Sequence, residues 1–93
     1  MKAEFFAYYR DPEYAGCKEA DFPAVATLRD FGNLIGERYG ERFRSEFFTD
    51  DGTGINEKTI ILVNGRRSDF LNGLDTELSD SDVIKVFPVV AGG

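Results

Sequence analysis

"LSDSDVIKVFPVVAGG", Leu78 to Gly93, holds the β-rich run around which the other elements have to be arranged. "VIKVFPVV" reads as a strand, rich in β-branched and aromatic residues. Pro88 has no amide hydrogen and cannot sit within the middle of a sheet, so the strand is expected to finish there. Asp80, Ser81 and Asp82 are turn residues that bond their own backbone, and they mark its start. The run then closes on Ala91, Gly92 and Gly93, and a domain over residues 1–88 followed by a flexible tail over residues 89–93 is expected.

Upstream, "TIILVNG" is a short apolar run ended by Asn64-Gly65, a buried strand followed by a tight turn. Between the two strands "RRSDFLNGLDTELSDSD" is polar, with a few anchoring leucines. Before them, Thr27 and Asp30 form a capping box that opens a helix, with Leu28, Phe31, Ile35 and Tyr39 on one face and Gly40 as its terminator. Gly32 and Gly36 each cost this helix about 1 kcal/mol relative to alanine, which points to close packing against a neighbour. "ERFRSEFF" predicts a short second helix with Phe43 and Phe47 four apart, and "TDDGTGINEK" is a loop. At the start, residues 1–10 read as one strand with Ala3, Phe5, Ala7 and Tyr9 on one side and Phe6 and Tyr8 on the other. "RDPEYAG" turns it into a second strand in "CKEADF". Strand, strand, helix, strand and final strand give an α+β fold in which one main helix covers one sheet.

Composition narrows the chemistry. Ninety-three residues, 42% of them hydrophobic, suffice for one core without disulfides or metal. Eleven basic against seventeen acidic residues leave a net charge of -6, which argues against nucleic acid and anionic membranes and suits a basic partner groove. With no histidine and a single cysteine, Cys17, neither a histidine triad nor a histidine or multi-cysteine metal site can be assembled. No segment has the length or character of a signal peptide or membrane span, so a cytoplasmic protein is expected. "GTGINEKT" resembles a phosphate-binding loop but has Glu57 where a glycine must wrap the phosphate, and it leads into a strand. Neither register of "TDDGTGINE" supplies the carboxylates of a calcium loop.

With those candidates gone, the ordered set "FFAYYRDPEYAG", "ATLRDF", "VNG", "LSDSDVIKVFPVV" and the final "AGG" resembles the MoaD/ThiS family of sulfur carriers, the prokaryotic relatives of ubiquitin. It is most similar to the MoaD branch, the small subunit of molybdopterin synthase. Leu78, Asp80 and Asp82 follow that family's Leu-x-Asp-x-Asp pattern. Ser81 departs from its usual glycine, and residues 41–58 are longer than in its shortest members. The resemblance implies a ubiquitin-like β-grasp fold, a mixed sheet packed on one main helix. It also implies a chain that is a sulfur-carrying subunit and protein substrate more than an enzyme, binding no cofactor or metal itself. An E1-like activating enzyme of the MoeB type would use ATP and Mg to adenylate Gly93, and a sulfur donor would convert it to a thiocarboxylate. The tail would then enter a large subunit of the MoaE type, in a heterotetramer, to form the molybdopterin dithiolene. Gly92 would give clearance, Val89, Val90 and Ala91 would lie in the partner's channel, and Phe6 and Phe87 would dock the domain. Two alternatives use the same carboxyl: a ubiquitin-like modifier joined through Gly93 to lysines, or a carrier for tRNA thiolation, cysteine or a tungsten-pterin pathway.

Overall fold

The final strand occupies the middle of the sheet. In the computed structural model, which describes residues 1–89, five strands lie in the order β2-β1-β5-β3-β4. They are β1 (Lys2–Phe5), β2 (Glu19–Asp21), β3 (Thr59–Val63), β4 (Arg66–Arg67) and β5 (Val83–Pro88), with helices α1 (Leu28–Tyr39) and α2 (Glu41–Phe47) between β2 and β3. β1 runs parallel to β5, with Phe5 opposite Val86, and β3 runs antiparallel to it, with Ile60 opposite Phe87 and Thr59 opposite Pro88. This mixed sheet gripping a helix is the β-grasp arrangement.

Pro88 is tolerated in a central strand because it is the strand's last residue. β1 has already ended at the level of Val86, so the amide that proline lacks has no neighbour to serve on that side. Alternation then sorts the strand residues. Ala3, Phe5, Ile61, Val63, Ile84 and Val86 point into the core and are at most 6% exposed. Leu28, Phe31 and Ile35 of α1 and Phe43 and Phe47 of α2 cover them, each fully buried.

The α1 entrance is built as the sequence predicts. Thr27 accepts a hydrogen bond from the Asp30 amide, and the Asp30 carboxylate accepts one from the Thr27 amide, so two otherwise unpaired donors are satisfied. Gly40 ends the helix with φ of 103°, a conformation that side-chain-bearing residues rarely adopt. The two helix glycines differ. A Cβ on Gly32 would stand 2.5 Å from Phe48 Cζ and 2.6 Å from Phe47 Cε1, so aromatic rings occupy its place. On Gly36 it would meet the Arg44 side chain, which is flexible.

Two expectations need correction. The first strand does not reach residue 10: it stops at Phe5, and Ala7–Arg10 form a 3₁₀ turn entered through Ala7 at φ of 52°. That left-handed residue breaks the alternation. Ala7, expected to face the core, is exposed, and Tyr9 reaches the core from the turn rather than from the strand. The second strand is confined to Glu19–Asp21, shorter than "CKEADF". The tight turn expected at Asn64-Gly65 is present, with φ of 52° and 84°, and leads into β4, a short strand at the start of the polar stretch.

Candidate functional site

β5 ends beside a group of exposed and half-buried apolar side chains. Val83, Lys85 and Phe87 alternate with the buried residues of the strand and so lie on the sheet face away from the helices. Phe6, one residue past β1, falls on the same face, and its amide donates to the Val86 carbonyl at 3.2 Å. The Phe6 and Phe87 rings stack at 4.2 Å with planes 10° apart. The Arg10 guanidinium lies 5.2 Å above the Phe6 ring, held by its Nε, which donates to the Phe5 carbonyl at 2.7 Å. Ile60 is opposite Phe87, and Leu62 is opposite Lys85.

The Val89 amide donates to the Lys58 carbonyl at 2.8 Å, which carries the β3 pairing one residue beyond Pro88. Val89 is 48% exposed, and a groove of about 430 Å³ beside it is lined by Ile55, Glu57, Ile60, Arg67 and Asp69. Of the residues the sequence singles out, Phe6, Phe87 and Val89 thus converge where the domain delivers its last described residue. Val90, Ala91, Gly92 and Gly93 lie outside the described residues.

Beneath the patch a polar cluster fixes the 3₁₀ turn. The fully buried Tyr9 hydroxyl donates to Thr59 Oγ1 at 2.7 Å, and the Thr59 hydroxyl in turn donates to the Glu46 carbonyl. Burial pushes the Tyr9 phenol well above its ordinary range, so it stays a neutral donor. At the other end of β5, Asp82 accepts from Asn64 Nδ2 at 2.8 Å and from the Ser79 amide at 2.8 Å. These hydrogen bonds, Asn64's foremost, hold its carboxyl below the usual carboxylate range. Asp82 is therefore a turn-forming group that pins the start of β5. Asp80 is exposed, as a turn residue should be.

Ile60, Leu62, Lys85 and Arg10 also belong to the patch, and sequence reasoning did not single them out. Ile60 and Leu62 were legible only as members of an apolar strand, since the choice of face needs the register. Among the described residues no cluster of three or more His, Cys, Asp or Glu side chains is placed to hold a metal ion, and no helix is long and apolar enough to cross a membrane.

A domain of this topology, a mixed sheet with a central final strand gripping a helix, is of the ubiquitin-like class. The ThiS family pattern matches residues 4–93, and the chain belongs to that family of ubiquitin-like sulfur carriers and modifiers. Small archaeal modifier protein 3 of Haloferax volcanii is 43% identical over 44 residues, 47% of this chain and 47% of that protein, so the chain spans about half the length of the curated relative it matches. Among solved structures, a Pyrococcus furiosus protein described as molybdopterin converting factor, subunit 1, is 38% identical, with 96% of this chain and 95% of that one covered at a TM-score of 0.68. Small archaeal modifier protein 1 of Methanosarcina acetivorans is 31% identical, with coverage of 99% and 94% and a TM-score of 0.77.

Proposed function

We propose that the chain is a sulfur carrier of the molybdopterin synthase small-subunit type, acting through the carboxyl of Gly93. The observation that carries this reading is the family match running through residue 93, supported by the end-to-end likeness to the Pyrococcus furiosus protein. A carboxylate is a poor electrophile, because its charge is delocalised and its leaving group would be oxide. An E1-like enzyme of the MoeB type removes that obstacle: a Gly93 oxygen attacks the α-phosphorus of ATP, pyrophosphate leaves with Mg, and an acyl adenylate forms. A hydrosulfide-equivalent nucleophile from the sulfur donor then adds to the carbonyl and expels AMP. The product is a thiocarboxylate whose sulfur is an anionic nucleophile at neutral pH.

The chain's own residues deliver and dock. The stacked Phe6 and Phe87, with Val89 at the rim, form the anchor against the activating enzyme and then against a large subunit of the MoaE type. Val90, Ala91 and Gly92 thread the partner's channel, Gly92 because the absence of a Cβ leaves room at the reacting centre. ATP chemistry and pterin binding reside on the partners, and the chain is their substrate in the cytoplasm.

A second reading is favoured by the two archaeal modifier relatives. The same acyl adenylate, met by a lysine amine instead of sulfide, gives an isopeptide bond and a protein modifier. Mass spectrometry of the chain and its adducts from the source cell separates the two. Replacement of one terminal oxygen by sulfur supports the carrier, whereas Gly-Gly stubs on lysines of larger proteins support the modifier. The carrier reading is lost if deleting Gly93 leaves molybdopterin formation unchanged.

A further inference from the structure

Although the chain carries a net charge of -6, several of its cations gather around the aromatic patch. Among the described residues, Arg10, Lys58 and Lys85 enter no ion pair, and all three border the aromatic patch. Arg10 lies over Phe6, Lys85 is two residues from Phe87 on the same face of β5, and Lys58 is bonded through its carbonyl to Val89. Arg67, opposite Leu62, adds a fourth cation, matched by Asp69 at 2.7 Å.

Glu4 and Glu19 are drawn to Lys2 at 3.9 and 3.0 Å, so the carboxylate opposite Lys85 in the β1–β5 register is turned to another partner. Glu57 lines the groove beside Val89 and is in no ion pair among the described residues. Lys18, Arg38 and Arg66 are likewise outside ion pairs among the described residues but belong elsewhere: Lys18 is level with the core-facing Phe5, whose amide donates to its carbonyl, Arg38 packs on Phe22 at 3.9 Å, and Arg66 shares the core-side parity of Val63. A half-buried lysine and a guanidinium lodged on the Phe6 ring, both outside any ion pair among the described residues, are complementary to an external carboxylate.

Resting on the proposed docking role of Phe6 and Phe87, we infer that this face takes a partner protein whose contact surface is apolar at its centre and carries carboxylates against Arg10, Lys58 and Lys85. The net charge alone suggests the reverse, a basic groove. The cations steer approach and set register, while the rings supply the buried area.

The test uses the full chain with the E1-like activating enzyme of its source cell, reading the KM for the chain in ATP–pyrophosphate exchange. Lys85→Glu and Lys58→Glu are each expected to raise KM about five-fold or more with kcat little changed, and Arg10→Gln to raise it less. The KM of the unaltered chain should rise between about 50 and 300 mM salt, as screening weakens attraction between unlike charges. Lys18→Glu, a reversal of equal size away from the patch, should leave KM in place. Thermal melts of each variant separate lost docking from lost folding. If the reversals leave KM unchanged or lower it while Phe87→Ala raises it, the docking face stands and its proposed polarity is overturned. If Phe87→Ala also leaves KM unchanged, the docking reading itself fails.

Discussion

The two faces of the sheet carry aromatic side chains of the same kind and put them to different uses. On the inner face Phe5 and Val86 are closed over by α1 and α2, and Phe43 reaches both Phe5 and Tyr9 with ring centroids 5.7 and 4.7 Å apart. On the outer face Phe6 and Phe87 stack on each other with Arg10 above Phe6, and among the described residues both rings stay only partly buried. An aromatic ring stabilises a fold in proportion to the apolar surface that folding removes from water. A ring left half-exposed retains that free energy for association. Neighbours in sequence, Phe5 with Phe6 and Val86 with Phe87, thus fall on the core face and on the face of the proposed docking in turn because the strand period is two.

The largest effect that would sharpen this contrast is Phe43→Ala. Removing a fully buried ring should cost about 3–5 kcal/mol in urea unfolding. A loss below about 1 kcal/mol would mean that the inner face is not the dominant core. Next comes Gly32→Ala, expected to destabilise by about 1–3 kcal/mol because the added methyl overlaps the Phe47 and Phe48 rings. If the variant proved more stable, helix propensity would have outweighed packing at this position.

Asp82→Asn should cost about 1 kcal/mol by weakening the hydrogen bonds from Asn64 and Ser79. Because its folded pKa is lowered, the stabilisation from Asp82 is complete above the ordinary carboxylate pKa of about 4 and is lost as pH falls through the lower folded value. Stability of the unaltered chain should therefore fall more steeply in that acid range than stability of the Asp82→Asn variant, as followed by urea midpoints. The smallest effect belongs to Phe87→Ala, whose stacked, half-exposed ring should contribute about 1 kcal/mol or less to folding. A loss as large as that of Phe43→Ala would erase the distinction between the faces.

Much of this was legible beforehand. The Thr27–Asp30 capping box, the Leu28–Phe31–Ile35 stripe and the Asn64-Gly65 turn are local signals, set by residues within one turn or one hairpin of each other, and each is realised. The close approach at Gly32 was legible as a cost needing a reason, though not as the rings of Phe47 and Phe48. The run from Met1 to Arg10 misled because alternation by itself carries no record of where a strand stops. Tyr9 is drawn inward by Thr59, fifty residues away, and the backbone yields at Ala7 to let it in.

By itself, then, the sequence determined the helices α1 and α2, the strands β3 and β5, where α1 starts and ends, and that no histidine chemistry is available. Those properties follow from periodicity, capping and composition, all of which act over a few residues. Only the tertiary structure decided that β5 is the central strand, that Phe6 and Phe87 stack across two strands, and that Arg10, Lys58 and Lys85 gather around them. Each of these depends on register between strands far apart in the chain. A shift of one residue in that register would turn every one of these side chains to the opposite face.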